Sequence, residues 1–172
     1  FRVETKSGPA ALRLHRTGYH APAAIQSELD WMAHLAANGL AVPAPIPAAD
    51  GRLLVELAGP DTVADLLTWL DGEPLGKTGV PLVGSVEEQA ATFHALGVTM
   101  ARLHNISEAW RAPSGFRRHA WDREGLVGET PFWGPFWALS DCLPEELEML
   151  TAARDRVRRD LDQYVKKGPD YG

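Results

Sequence analysis

The chain has 172 residues, of which 45% are apolar and 23% charged, and its formal net charge is −6. That length supports one well-packed core or two small lobes sharing a cleft, and the composition is far from the low-hydrophobicity, high-charge signature of disorder. The acidic balance argues against a broad footprint for nucleic acid or an anionic membrane, and with Cys142 the only cysteine neither a disulfide nor a thiolate zinc cluster can be built, which fits a reducing cytosol.

Phe1 to Thr5 shows no charged stretch leading into an apolar one, as a secretory leader would, and no apolar run approaches the ~20 residues of a membrane span. A soluble, cytoplasmic protein is expected. The same residues alternate apolar and polar, Lys6-Ser7-Gly8-Pro9 reads as a turn, and Ala10 to His15 alternates again, which predicts a β-hairpin. With period two, Leu12 and Leu14 share one face of the second strand and Ala11, Arg13 and His15 the other. Pro22 suits the first turn of a helix, and Asn38-Gly39 supplies its stop. On that helix Ile25, Trp31, Met32 and Leu35 fall within roughly 60° of Glu28, whereas Gln26, Asp30, His34 and Ala37 point the other way. Glu28 is therefore expected buried at the centre of the apolar face. A carboxylate there needs a cation, and the nearest upstream is Arg13.

Val42 to Pro47 is held extended by its prolines, and Asp50-Gly51 reads as a tight turn before Leu53 to Leu57, which predicts more sheet. The apolar run Ala64 to Leu70 reads as a buried strand followed by a connector from Asp71-Gly72-Glu73-Pro74. Between Leu75 and Gly84 three glycines mark a boundary, placing a mixed lobe at residues 1–75 and a helical one at 76–172. Ser85-x-x-Glu88 is a capping box, and Phe93, Leu96, Met100 and Leu103 then recur at helical spacing, which predicts a long, packed helix reaching His104. From Ile106 to Leu139 the chain is irregular and rich in tryptophan and phenylalanine. A last helix is predicted from Pro144-Glu145-Glu146 to Lys166-Lys167-Gly168-Pro169, with acids at its start and bases at its end.

A strand arginine paired with a helix carboxylate is well placed to grip nucleotide phosphates, and equally able to serve as a plain ion pair tying helix to sheet. The surrounding order tips the balance. Ala11-Leu12-Arg13-Leu14-His15-Arg16, Ser27-Glu28-Leu29, Gly39 to Pro45, Leu67-Thr68-Trp69-Leu70-Asp71-Gly72-Glu73-Pro74-Leu75 and Ala101-Arg102-Leu103-His104 stand in sequence along nearly the whole chain. Together they resemble the aminoglycoside phosphotransferase family, a branch of the protein-kinase-like fold that includes choline and homoserine kinases. The resemblance implies an α+β, two-lobed, kinase-like fold, incomplete here: an N-terminal antiparallel sheet lacking its first strand, one Glu-bearing helix and a mainly helical second lobe.

By that resemblance Arg13 takes the phosphate-gripping role of the kinase lysine and Glu28 is its partner. Ala11 packs on the adenine ring, and Thr68 and Leu70 offer backbone groups to its edge. The resemblance also implies ATP with Mg²⁺ as cofactors and transfer of the γ-phosphoryl group to a hydroxyl of a small-molecule acceptor, with Trp121 and Asp122 as acceptor-side candidates. Two departures stand out. There is no G-x-G-x-x-G loop, and none of the six histidines is followed by Asp two positions on, so the H-x-D catalytic loop is missing. The chain thus reads as a fragment that ends before that loop, inactive by itself, with no catalytic base and with the metal ligands outside it. The alternatives are a non-catalytic nucleotide-binding or protein-interaction module, and a Ser/Thr protein kinase of the same fold. Asp160-x-Asp162 imitates a metal pair but lies in a charged helix, and His15 and His20 lack a third ligand of suitable spacing.

Overall fold

A computed structural model describes residues 1–57 and 62–167 of the chain. Strand β1 (Arg2–Thr5) and strand β2 (Gly8–Leu14) form the expected hairpin, in register from Thr5 opposite Gly8 to Arg2 opposite Ala11. The turn is tighter than Lys6 to Pro9. Gly8 and Pro9 already belong to β2, because Gly8 takes a φ of 110° and the Thr5 hydroxyl donates to its carbonyl at 2.7 Å, closing the loop over Lys6 and Ser7 alone.

Helix α1 (Pro22–Ala37) begins on Pro22, whose missing N–H would have been unpaired in any case. It ends where Gly39 adopts a φ of 74° and Leu40 N–H returns to the Leu35 carbonyl at 3.1 Å, satisfying an otherwise orphaned acceptor. Strands β3 (Leu54–Glu56) and β4 (Val63–Thr68) complete an antiparallel sheet of order β1-β2-β4-β3. The proline link runs beside β4, with Ile46 N–H on the Leu66 carbonyl and Thr68 N–H on the Ala44 carbonyl. The core lies between sheet and helix: Ile25 and Leu29 of α1 meet Val63 and Leu67 of β4, with Ala11, Met32, Leu53 and Leu54 around them. β4 stops at Thr68, two residues short of the apolar run that predicted it; Trp69 and Leu70 stand exposed beyond the last rung.

Helix α2 (Val86–Glu108) starts on the capping box, where Glu88 N–H donates to Ser85 Oγ at 3.2 Å and Ser85 N–H to Glu88 Oε2 at 2.7 Å. It runs one turn past His104. The expectation of a packed helix is not met among the described residues: no α2 residue is buried, and Phe93, Leu96 and Met100 are 49%, 42% and 51% exposed.

Compactness divides the chain at Arg118/His119, later than the lobe boundary drawn at 75/76. α2 belongs with the sheet unit because it is tied to α1: Trp31 Nε1–H donates to Ser107 Oγ at 3.0 Å, and Arg102 reaches the Gly39 carbonyl beyond the helix end. The second unit holds a short helix α3 (Arg123–Val127), a 3₁₀ turn at Phe136–Ala138 and helix α4 (Pro144–Lys167). Within it Arg154 stacks over Trp137, and Arg158 pairs with Glu129. The Gly168-Pro169 stop foreseen for the last helix lies outside the described residues. Among the described residues no helix is long and apolar enough to cross a membrane.

Candidate functional site

Arg13 sits directly opposite Asp65 in the β2–β4 ladder, so the two side chains leave the sheet on the same face. The guanidinium forms a fork on the carboxylate, Nε to Oδ1 at 2.7 Å and Nη2 to Oδ2 at 3.0 Å, and turns Nη1 to Glu28 Oε1 at 2.7 Å. Just past the end of β2, His15 Nε2 lies 2.5 Å from Asp65 Oδ2. Asp65 is fully enclosed, whereas the Arg13 and Glu28 side chains keep 31% and 28% of their exposure. The arginine therefore has a dry anchor on one side and a solvent-facing partner on the other.

Burial works against the charge on both Arg13 and Glu28, and their pairing overrides it. The hydrogen bonds from Arg13 to Asp65 and Glu28 leave the guanidinium pKa above its usual value. The Glu28 carboxyl is likewise pushed up by burial but ends below its usual value, because it accepts from Arg13 and feels the charges of Arg13 and Arg118. Both groups are thus held ionised. In these bonds Arg13 spends three of its five N–H donors, which leaves two to offer an anion.

Glu28 does not sit at the centre of the apolar face. That place belongs to Leu29, which is fully buried, with the buried Ile25 beside it. The line Ile25–Leu29–Met32 meets the sheet, and Glu28, about 100° round the helix from Leu29, falls at its edge. From there its second oxygen, Oε2, accepts from Arg118 Nη1 at 3.0 Å. Next to it the buried Ser27 hydroxyl donates to the Ala23 carbonyl and accepts from Arg117 N–H at 2.8 Å.

The structure brings Arg13 and Glu28 together and places Ala11 one pleat along the same face, partly buried against the core. Thr68 is committed elsewhere: its N–H goes to the Ala44 carbonyl at 2.8 Å and its hydroxyl accepts from Ala44 N–H at 2.9 Å. An adenine edge cannot use that N–H without breaking the tie to the proline link. Leu70 is half exposed in the connector. In the second unit Trp121 is 59% exposed beside Trp133, and Asp122 caps α3 by accepting from Gly125 N–H at 2.8 Å. Asp162 pairs with Arg123, and Asp160 lies near Arg156. Among the described residues no group of three metal-ligating side chains converges.

Asp65 and Arg118 escaped the sequence reading. Asp65 carries one signal, a lone charge inside the apolar run from Ala64 to Leu70, where an unpartnered acid would be costly. Arg118 carries none, since it stands in a stretch without periodicity.

The family model of the phosphotransferase enzyme family matches residues 1–169. The chain is 30% identical to the homoserine kinase of Sinorhizobium medicae over 133 residues, 77% of this chain and 33% of that protein. It is 21% identical to the amicoumacin kinase of Bacillus subtilis over 165 residues, 95% of this chain and 45% of that one. Among solved structures, a microcompartment-associated aminopropanol kinase superposes with a TM-score of 0.71 and 33% identity, covering 95% of this chain and 49% of that one. An amicoumacin kinase in complex with AMP-PNP, Ca²⁺ and Ami shares the fold, with a TM-score of 0.68 at 19% identity. The chain thus spans a third to a half of the length of these relatives. With a four-stranded antiparallel sheet backed by helices, an α+β arrangement common to these kinases, and a family match over almost every residue, the chain belongs to the phosphotransferase enzyme family.

Proposed function

We propose that this chain supplies the nucleotide-gripping part of an ATP-dependent phosphotransferase that moves the γ-phosphoryl group to a hydroxyl of a small amino alcohol. The observation that carries the reading is the Arg13–Glu28 pair, formed between a strand and a helix in a chain matched by the family model from residue 1 to 169. Two carboxylates fix the guanidinium, and its two remaining N–H donors suit two phosphate oxygens. ATP entering with Mg²⁺ would lay its phosphates against Arg13 and its base toward Ala11, Thr68 and Leu70, with Leu70 better placed than Thr68 to offer a free backbone group. Bound Mg²⁺ would supply charge neutralisation to the phosphates. The amino-alcohol assignment follows from the relatives named as homoserine and aminopropanol kinases, both names denoting small molecules that carry an amine and a hydroxyl. A cytosolic setting agrees with the single cysteine.

Calorimetric titration with MgATP tests the clamp. Saturable binding is expected, weakened about tenfold or more by Arg13→Ala and less by Arg13→Lys, which keeps the charge but loses the fork. No binding by the unaltered chain, or equal binding by Arg13→Ala, would overturn the clamp. The acceptor class is tested on the full-length protein by following phosphoryl transfer to homoserine, aminopropanol and a serine peptide; transfer to the peptide alone would replace the amino-alcohol assignment with a protein kinase.

A further inference from the structure

Glu28 serves two arginines, and only one of them belongs to the expected clamp. Arg118 stands 90 positions away in sequence, yet it takes the second carboxylate oxygen at 3.0 Å while Arg13 holds the first at 2.7 Å. With both oxygens held from different directions, the carboxylate is fixed in position and plane.

Arg118 does not act alone. Its neighbour Arg117 donates its backbone N–H to Ser27 Oγ at 2.8 Å, so two adjacent residues grip two adjacent residues of α1. Ser27 is buried, which shields that bond from water. Further along the helix Trp110 stacks on His34 with ring centroids 5.5 Å apart, and Trp31 donates to Ser107. Between these anchors the segment folds on itself through an edge-to-face contact of Trp110 with Phe116 at 5.3 Å. Residues 107–118 therefore form a strap lying along α1, fastened at its far end to the carboxylate that meets Arg13.

We propose that Arg118 is a positioning residue for the nucleotide clamp: through Glu28 and the strap it holds α1 where Glu28 can present Arg13 to the phosphates. This rests on the clamp reading given above. An exposed ion pair of ordinary kind would contribute little and would leave ligand affinity untouched. A positioning pair instead transmits its loss to Arg13, and only through Glu28.

The test is a double-mutant cycle on the full chain, read by MgATP affinity and by amide hydrogen exchange across α1. Arg118→Ala is expected to weaken MgATP binding about fivefold, as the loss of one partly exposed charge-assisted bond would, and Arg118→Lys to recover part of it. In a Glu28→Gln background the same Arg118→Ala change should move affinity by less than about twofold. Exchange of the α1 amides should quicken in Arg118→Ala and slow again in Arg118→Lys. If Arg118→Ala does not fold, Arg118→Gln, which keeps the stem and one donor group, takes its place. Equal losses in both backgrounds would overturn the proposal and make Arg118 a direct ligand contact. Unchanged affinity with quickened exchange would reduce the strap to a structural tie, again overturning it. If the unaltered chain binds no MgATP, the clamp reading fails, and the positioning role falls with it, while exchange alone then decides whether the strap exists.

Discussion

Asp65 has the least freedom of any residue in the site. Its side chain is wholly enclosed and its charge is met by the Arg13 fork and by His15. Losing Arg13 would leave the enclosed Asp65 carboxylate without the fork that balances it, whereas losing both takes that charge away and leaves Glu28 partly exposed and still held by Arg118. Arg13→Met should therefore lower the unfolding free energy by about 3 kcal/mol in urea titrations, and the double change Arg13→Met with Asp65→Leu by clearly less. A double variant no more stable than Arg13→Met would show that the pair itself, and not the stranded charge, holds the sheet. Glu28 gives a second prediction at this scale. Its folded pKa lies below the ordinary 4.5, so the native state takes up the proton less readily than the unfolded chain. The stability it contributes is complete above that ordinary value and is lost as pH falls through the lower, folded one. Between about pH 5 and pH 3 the unaltered chain should lose stability more steeply than Glu28→Gln, measured as denaturation midpoints at each pH. Parallel curves would mean that the carboxylate gains nothing from its arginines.

The two long amphipathic helices of the sheet unit look alike in sequence and differ in what covers them. In α1 the apolar line is closed against the sheet, and Leu29 is fully buried. In α2 the corresponding row of Phe93, Leu96 and Met100 stays about half exposed. Periodicity reports which side of a helix is apolar, not whether a partner lies against it, so the packing expected for α2 could not be read from spacing alone. The contrast is measurable: Leu29→Ala should cost about 2–5 kcal/mol, while Met100→Gln should stay within about 0.5 kcal/mol. The capping box of α2 was legible because it depends on four consecutive residues. Ser85→Ala, losing one of its two reciprocal bonds, should cost about 1 kcal/mol by the same measurement.

Across the whole molecule, what could be read from the sequence was whatever depends on short range. The hairpin, the ends of α1, the start of α2 and the meeting of Arg13 with Glu28 all follow from period and turn chemistry over some tens of residues. The Arg13–Asp65 pairing depends on the register between strands 52 positions apart, and Arg118 on the path of a stretch without period, so neither could be read. Those two additions change the electrostatics of the proposed clamp. Arg13 and Arg118 face Glu28 and Asp65, two cations against two anions, inside a chain whose net charge is −6. With each arginine matched by a carboxylate, the proposed clamp has no arginine charge to spare for the phosphates of a nucleotide, and most of the neutralising charge would have to arrive with the ligand. ATP titrated in EDTA should therefore bind at least about tenfold more weakly than MgATP, and the gap should narrow as salt shortens the screening length toward about 8 Å. If ATP binds equally well without the metal, the phosphates are being met by protein cations outside this cluster, and Arg13 would no longer be the residue that grips them.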